Sequence, residues 1–256
     1  MENIDITGKK IFFLYPPTIV ENEVMSALIM QEFESYTVKD HVALRRVLKR
    51  FPNSIVFVNL DEKTMPEKDW EAWICDVMAD PNTVRTEIGV LSSNANDEVK
   101  RMYLTQIKVT CGFTYISTDI KKLISQISHI LMQRGAMGRR KYIRVTSGNE
   151  TSTTANIPLD GRFVSVAIRD ISSAGFSCIF VEDPNLPKGT IVTDIQLKLQ
   201  STLIRAEAIA LGSRAYESMQ VYVFVFMPQI ESEGRYKIHK YIQTAIQNKM
   251  DMELKK

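Results

Sequence analysis

The feature that most limits what this chain can become lies in its first half. Short apolar runs recur at Ile11 to Tyr15, Ile55 to Val58, Ile88 to Leu91 and Phe113 to Ile116, with segments of helical period between them. That alternation is the pattern of a parallel sheet joined by crossover helices. A weaker strand signal near Thr37 makes five. The clearest helix opens at Pro66, a residue favoured in a first turn, and runs to about Ala79. It sets Trp70, Trp73, Ile74, Val77 and Met78 on one face before Pro81 stops it. Another opens at Thr118-Asp119, a good N-cap pair, and aligns Ile120, Leu123, Ile124, Ile127 and Leu131 before Gly135 ends it. This apolar face is expected to pack on the sheet.

Five strand-helix units in about 130 residues resemble the response-regulator receiver fold. A receiver needs acidic residues after its first strand to hold Mg²⁺, an Asp after the third to accept phosphate and a Lys near the fifth. Here the first strand leads into Tyr15-Pro16-Pro17, the third into Asn59, and the fifth is followed by Ser117-Thr118-Asp119. Asp61 stands two residues past the phosphoacceptor position and is expected to be a loop acid. Residues 1–134 therefore read as a pseudo-receiver, a docking or dimerisation domain without phosphotransfer.

Charge separates the halves. Residues 1–133 carry 15 Lys/Arg against 18 Asp/Glu, and residues 134–256 carry 17 against 12. Within the second half the excess is local, since Arg134, Arg139, Arg140, Lys141 and Arg144 fall in eleven residues without an acid. Any anionic ligand is to be sought there first. The same stretch passes from a helix end through Gly135 and Gly138 into an alternating strand, which places a domain boundary between 134 and 140. Two spaced motifs follow. Arg140-Lys141-Tyr142-Ile143-Arg144 is an Arg-x-x-x-Arg arm, and Asp170-Ile171-Ser172-Ser173-Ala174-Gly175 supplies Asp-x-Ser-x-x-Gly 26 residues after Arg144. The second motif is expected between two strands, Arg162 to Arg169 and Phe176 to Val181.

In order, spacing and strand context this pair resembles the signature of the PilZ family, bacterial receptors for cyclic di-GMP, over residues 138 to about 250. Beyond the motifs, Leu186-Pro187-Lys188-Gly189 reads as a turn, and Ile191 to Leu199, Leu203 to Leu211 and Val221 to Met227 read as strands of a small β-barrel. A helix from about Gly234, with Ile238, Tyr241, Ile242, Ala245 and Ile246 in a stripe, is expected to close one barrel end. Residues 135–256 are thus the expected ligand-binding domain, and the fold class is α/β plus all-β. The resemblance implies a site of Arg140, Arg144, Asp170, Ser172 and Gly175. Arg139 joins them, because a basic residue at that position goes with two intercalated ligand molecules in such proteins.

The residue types suit that ligand. An Arg fork pairs with guanine O6 and N7 or with phosphate oxygens, and its face stacks on a base. Asp170 can accept from guanine N1 and N2, the Ser172 hydroxyl can bond a base or phosphate, and Gly175 permits close backbone approach or positive φ. The plain reading of Asp170 and Ser172 is an Asx-type turn between strands.

Other chemistry finds little support. Cys75, Cys111 and Cys178 are too scattered for a disulfide framework or zinc knuckle. His41, His129 and His239 stand in no metal or nucleophile pattern, and the 12 Met are expected to fill core gaps. There is no phosphate-binding glycine loop, no Gly-x-Ser-x-Gly and no cyclase or phosphodiesterase signature. The only low-complexity tracts are the polar hairpin region at Thr146 to Ala155 and the charged tail at Asp251 to Lys256. Ile11 to Tyr15 is too short to span a bilayer, and Met1 to Lys10 lacks the features of a signal peptide. The expectation is a cytoplasmic, non-enzymatic cyclic di-GMP effector without metal or cofactor. It would signal to a protein partner through its N-terminal domain and govern motility, adhesion or virulence. The alternatives are a nucleic-acid-binding barrel, which would show steep salt dependence, and a ligand-free scaffold.

Overall fold

A computed structural model of the chain describes residues 8–94, 96–147, 153–216, 219–228, 230 and 232–256. Strands β1 (Lys10–Leu14), β2 (Ser35–Val38), β3 (Ser54–Asn59), β4 (Glu87–Ser92) and β5 (Phe113–Tyr115) form one parallel sheet in the order β2-β1-β3-β4-β5. That is the doubly wound order of receiver-type folds. The helices are α1 (Met25–Met30, after a π-helical turn at Val20–Val24), α2 (His41–Arg50), α3 (Glu67–Ala79), α4 (Asp97–Met102, before a π-helical turn at Tyr103–Ile107) and α5 (Ile120–Gln133). Ile11, Phe13, Ile55 and Phe57 share a core with Leu28 of α1 and with Leu123, Ile127 and Leu131 of α5. Their strand neighbours Phe12, Val56 and Val58 are equally buried and face the other side, as the two-residue alternation requires. Pro66 sits at the N-cap of α3, one position before the first turn, and Trp70, Trp73, Ile74 and Val77 are buried as the stripe predicts. On α5 the Asp119 side chain accepts from the Lys122 amide at 3.1 Å, and Gly135, at φ 59°, ends the helix in the left-handed region.

The chain forms two compact units, one ending at Lys141 and including Ile246–Lys256, the other Tyr142–Ala245. The second contains β6 (Arg144–Thr146), β7 (Thr153–Leu159), β8 (Arg162–Ser172), β9 (Gly175–Ile179), β10 (Ile191–Leu199), β11 (Thr202–Tyr216) and β12 (Met219–Phe226), all antiparallel. They run in the order β8-β7-β10-β11-β12-β9, and β9 pairs back onto β8 to close a six-stranded barrel, with β6 added on β8. Closure removes exposed strand edges. Inside, small residues of β11 stand opposite large ones of β12, Ala208 beside Phe226 and Ala210 beside Phe224, and Phe224 stacks on Phe176 at 5.1 Å. The polar 146–155 stretch falls largely on 148–152, outside the described residues.

The terminal helix, α6 (Ser232–Leu254), starts close to the expected Gly234 and departs from expectation at its C-terminal end. Ile238 and Ile242 are fully buried and the Tyr241 hydroxyl lies 3.2 Å from Thr153 Oγ1, within the barrel unit. From Ile246 onward the helix belongs to the first unit, where the Gln247 amide donates to the Thr37 carbonyl and accepts from the Thr37 N–H, each at 2.9 Å. One side chain thereby satisfies both backbone groups of a residue on edge strand β2. The tail read as low complexity is helical to Leu254, because the stripe of Ile246 continues in buried Met250.

Candidate functional site

The second motif lies inside strands, where the sequence suggested a loop between them. β8 runs to Ser172, β9 starts at Gly175, and only Ser173 and Ala174 turn the hairpin. Asp and Ser are poor strand formers, but here their polar groups are matched. Asp170 Oδ1 lies 3.5 Å from Arg144 Nε, Asp170 Oδ2 accepts from the Ser177 hydroxyl at 2.5 Å, and the Ser172 hydroxyl donates to the Gly175 carbonyl at 3.2 Å. Register explains the convergence. Arg144 pairs with Ser172 and Ser172 with Gly175, while Thr146 pairs with Asp170 and Asp170 with Ser177. The Arg144 side chain reaches its acid on the diagonal, two residues along the neighbouring strand.

Gly175 owes its identity to close approach. It lies outside the positive-φ residues, but a Cβ there would sit 2.1 Å from the Phe224 carbonyl oxygen and 3.0 Å from the Phe224 carbonyl carbon. Asp170 is largely shielded, with 14% of its side chain exposed, whereas 49% of Arg144 is open. The structure therefore gathers Arg144, Asp170, Ser172 and Gly175 within the barrel unit. Arg139 and Arg140 are exposed and stand among the last residues of the first unit. Of the basic cluster, Arg134 is engaged structurally: it lies 3.6 Å from Glu87 and donates to the Thr110 carbonyl.

Three residues of this neighbourhood were missed from the sequence. Ser177, which holds Asp170, was visible only as a lone hydroxyl in the apolar run from Phe176 to Phe180. Arg169 is the extra residue of a bulge, since Ile168 pairs with Cys178 and Asp170 with Ser177. Its guanidinium lies 3.5 Å from the centroid of the Tyr216 ring, a partner 47 residues away that no local pattern announces.

In the first unit, the positions where a receiver does its chemistry are otherwise occupied. Tyr15 follows β1 in the left-handed region at φ 51°, and its carbonyl accepts from the Asn59 side-chain amide at 2.9 Å. Its hydroxyl is 3.3 Å from His41 Nδ1, and its ring meets Trp70 edge-on at 5.8 Å. Asp61 accepts from the hydroxyls of Ser92 (2.6 Å) and Ser93 (2.5 Å) and from the Ser93 amide (2.6 Å). Burial pushes its carboxyl up, but these bonds, with one from the Asn94 backbone, outweigh burial and hold it below the usual carboxylate range. His239 Nδ1 lies 2.9 Å from the Arg235 carbonyl. Among the described residues, no three His, Cys, Asp or Glu are grouped to hold a metal ion.

No protein-family model matches the chain, and no curated protein matches it. Solved structures do. One is the PilZ domain with cyclic di-GMP of YcgR from Escherichia coli, at 13% identity and TM-score 0.39, covering 46% of this chain and 98% of that one. Another is the MrkH complex with cyclic di-GMP from Klebsiella pneumoniae, at 16% identity and TM-score 0.38, covering 47% of this chain and 57% of that one. A response regulator from Desulfuromonas acetoxidans matches at 13% identity and TM-score 0.39, covering 49% of this chain and 98% of that one.

Proposed function

We propose that the protein is a non-enzymatic receptor for cyclic di-GMP, bound by Arg139, Arg140, Arg144, Asp170, Ser172 and Gly175. The observation that carries this reading is the Arg144–Asp170 pair, which unites the two sequence motifs at one point of the barrel. Arg140 and Arg144 supply planar forks for guanine O6 and N7 or for phosphate oxygens. Asp170 accepts from guanine N1–H and N2–H, and Ser177 fixes its orientation. Ser172 and Gly175 hold the hairpin that presents it. Arg139 adds charge for a second intercalated ligand molecule. Residues 1–134 serve as the docking domain for a protein partner, and ligand uptake by the arm at 135–145 changes the relation between the domains.

The test is calorimetric titration of the full chain with cyclic di-GMP. Arg140→Ala and Arg144→Ala each weaken binding by about 1–3 kcal/mol, the worth of a bidentate base contact. The two losses need not add, since both side chains serve one ligand. Wild-type affinity in both variants would remove the site assignment.

A further inference from the structure

We propose that Arg169, laid on the face of Tyr216, reads the O6/N7 edge of a guanine in this site. The inference rests on the receptor reading above and adds a specificity-determining residue to it.

A bulge inserts an unpaired residue into one strand and re-aims its side chain. In β8 that residue is Arg169, and the break in alternation leaves Arg169 and Asp170 as successive half-buried residues. The bulge is held in place, since the Arg169 carbonyl accepts from the Ser147 amide at 2.9 Å. Beyond the bulge, the guanidinium carbon is 3.5 Å from the Tyr216 ring centroid, a stacking distance that fixes the plane of the fork. Tyr216 stands at the end of β11 and is 42% exposed.

The fold alone does not account for this arrangement. Arg169 Nη1 is shielded from solvent and meets no acceptor among the described residues. A dry, unpaired cationic donor opposes folding, and the barrel would be served as well by an apolar or uncharged residue over Tyr216. The guanine edge presents two acceptors in the base plane, O6 and N7, matched to a fork held in one plane, whereas adenine places a donor where O6 would be. Arg144 is already turned to Asp170, and Arg139 and Arg140 lie on exposed chain with no stacking partner among the described residues to fix their plane, a state suited to phosphate oxygens. Arg169 is the guanidinium whose orientation is set before the ligand arrives.

The test is a double-mutant cycle between protein and ligand. Full-length wild type and Arg169→Ala are titrated by calorimetry with cyclic di-GMP and with its 7-deaza analogue, in which carbon replaces N7 of both bases. The wild type should bind the analogue about tenfold more weakly than cyclic di-GMP, the lower end of a bidentate contact. Arg169→Ala should bind both with reduced affinity and suffer a clearly smaller analogue penalty than the wild type. Arg169→Lys, which keeps the charge and loses the planar fork, should behave like Arg169→Ala. Tyr216→Phe should keep the wild-type discrimination. If Arg169→Ala suffers the same analogue penalty as the wild type, or the wild type suffers none, Arg169 does not read this edge. A wild type that takes up neither ligand overturns the receptor reading instead, a distinguishable result. Circular dichroism of each variant establishes that the barrel is folded.

Discussion

Gly175→Ala puts the packing account of the second motif to its hardest test. The added Cβ would lie 2.1 Å from the Phe224 carbonyl oxygen and 3.0 Å from both the Phe224 carbonyl carbon and Val225 Cα, against an ordinary contact of 3.4–4 Å. All three atoms are backbone, so no rotamer change relieves the overlap, and β9 must move away from β12 by about 1.3 Å at this point. Overpacking of this kind costs about 1–3 kcal/mol. A shift of that size also disturbs the pairing of Gly175 with Val225 and with Ser172, at about 0.5–1.5 kcal/mol for each net hydrogen bond lost. A total of about 3 kcal/mol lowers the melting temperature of a unit of this size by roughly 12–24 °C. Differential scanning calorimetry reads the change directly. Gly161→Ala is the control, since nothing lies within 4 Å of its Cβ position and only its φ of 77° opposes a side chain. It should cost about 1 kcal/mol. A Gly175→Ala chain that melts with the wild type would refute the close-approach argument.

Three further outcomes follow from the two units. Incubation with Mg²⁺ and a small phosphodonor should leave the chain unmodified by intact-mass spectrometry, and a stable adduct at Asp61 would overturn the pseudo-receiver reading. Asp61, held below its unfolded pKa of about 3.9, contributes stability that is intact above that value and lost as pH falls through the folded pKa. The melting temperatures of wild type and Asp61→Asn should therefore converge below about pH 4, and a constant gap from pH 6 to 3 would contradict this. Hydrogen exchange should show amides from Gly135 to Val145 becoming protected on adding cyclic di-GMP, with a change in small-angle scattering. An arm already protected without ligand would remove the switch and leave a rigid receptor.

Much of the fold was legible because it rests on continuous apolar runs. β1, β3, β4 and β5 were read from such runs, and β2 only faintly, because Ser35-Tyr36-Thr37-Val38 is short and half polar. Errors came where tertiary partners override local preference. The strand expected to end at Arg169 continues to Ser172, because Arg144, Ser177 and the Gly175 carbonyl satisfy the polar groups of Asp170 and Ser172. The apolar alternation that marks β11 in the sequence stops at Leu211, before Gly212-Ser213-Arg214. The strand instead takes Leu211 as the extra residue of a bulge, with Gly212 beside it at φ 114°, and continues to Tyr216. That extension is what delivers Tyr216 to Arg169, so the sequence could reveal the two motifs and not the stack beside them.

The geometry around Asp170 also bears on how the proposed binding would proceed. Asp170 is already engaged by Arg144 and Ser177, so in the proposed complex a guanine would share its carboxylate with Arg144 or displace it. Solvent screens the pair on its Arg144 side, which is 49% exposed, and such an exchange would release Arg144 to meet the ligand. Ordering backbone in the arm costs about 1–2 kcal/mol per residue, against about 1.5–3 kcal/mol for each hydrogen bond to a charged group. One arginine contact therefore offsets the ordering of one or two residues. An arm that orders several residues needs contacts from Arg139, Arg140 and Arg144 together, with Asp170 and base stacking beside them. A fork already held on Tyr216 adds affinity without adding to that cost, because its orientation was fixed when the barrel folded. On this reasoning Arg169 sets which base is taken and the arm sets how much of the binding energy is spent on ordering, so loss of Arg169 should weaken binding while leaving ligand-induced protection of the arm in place at saturation.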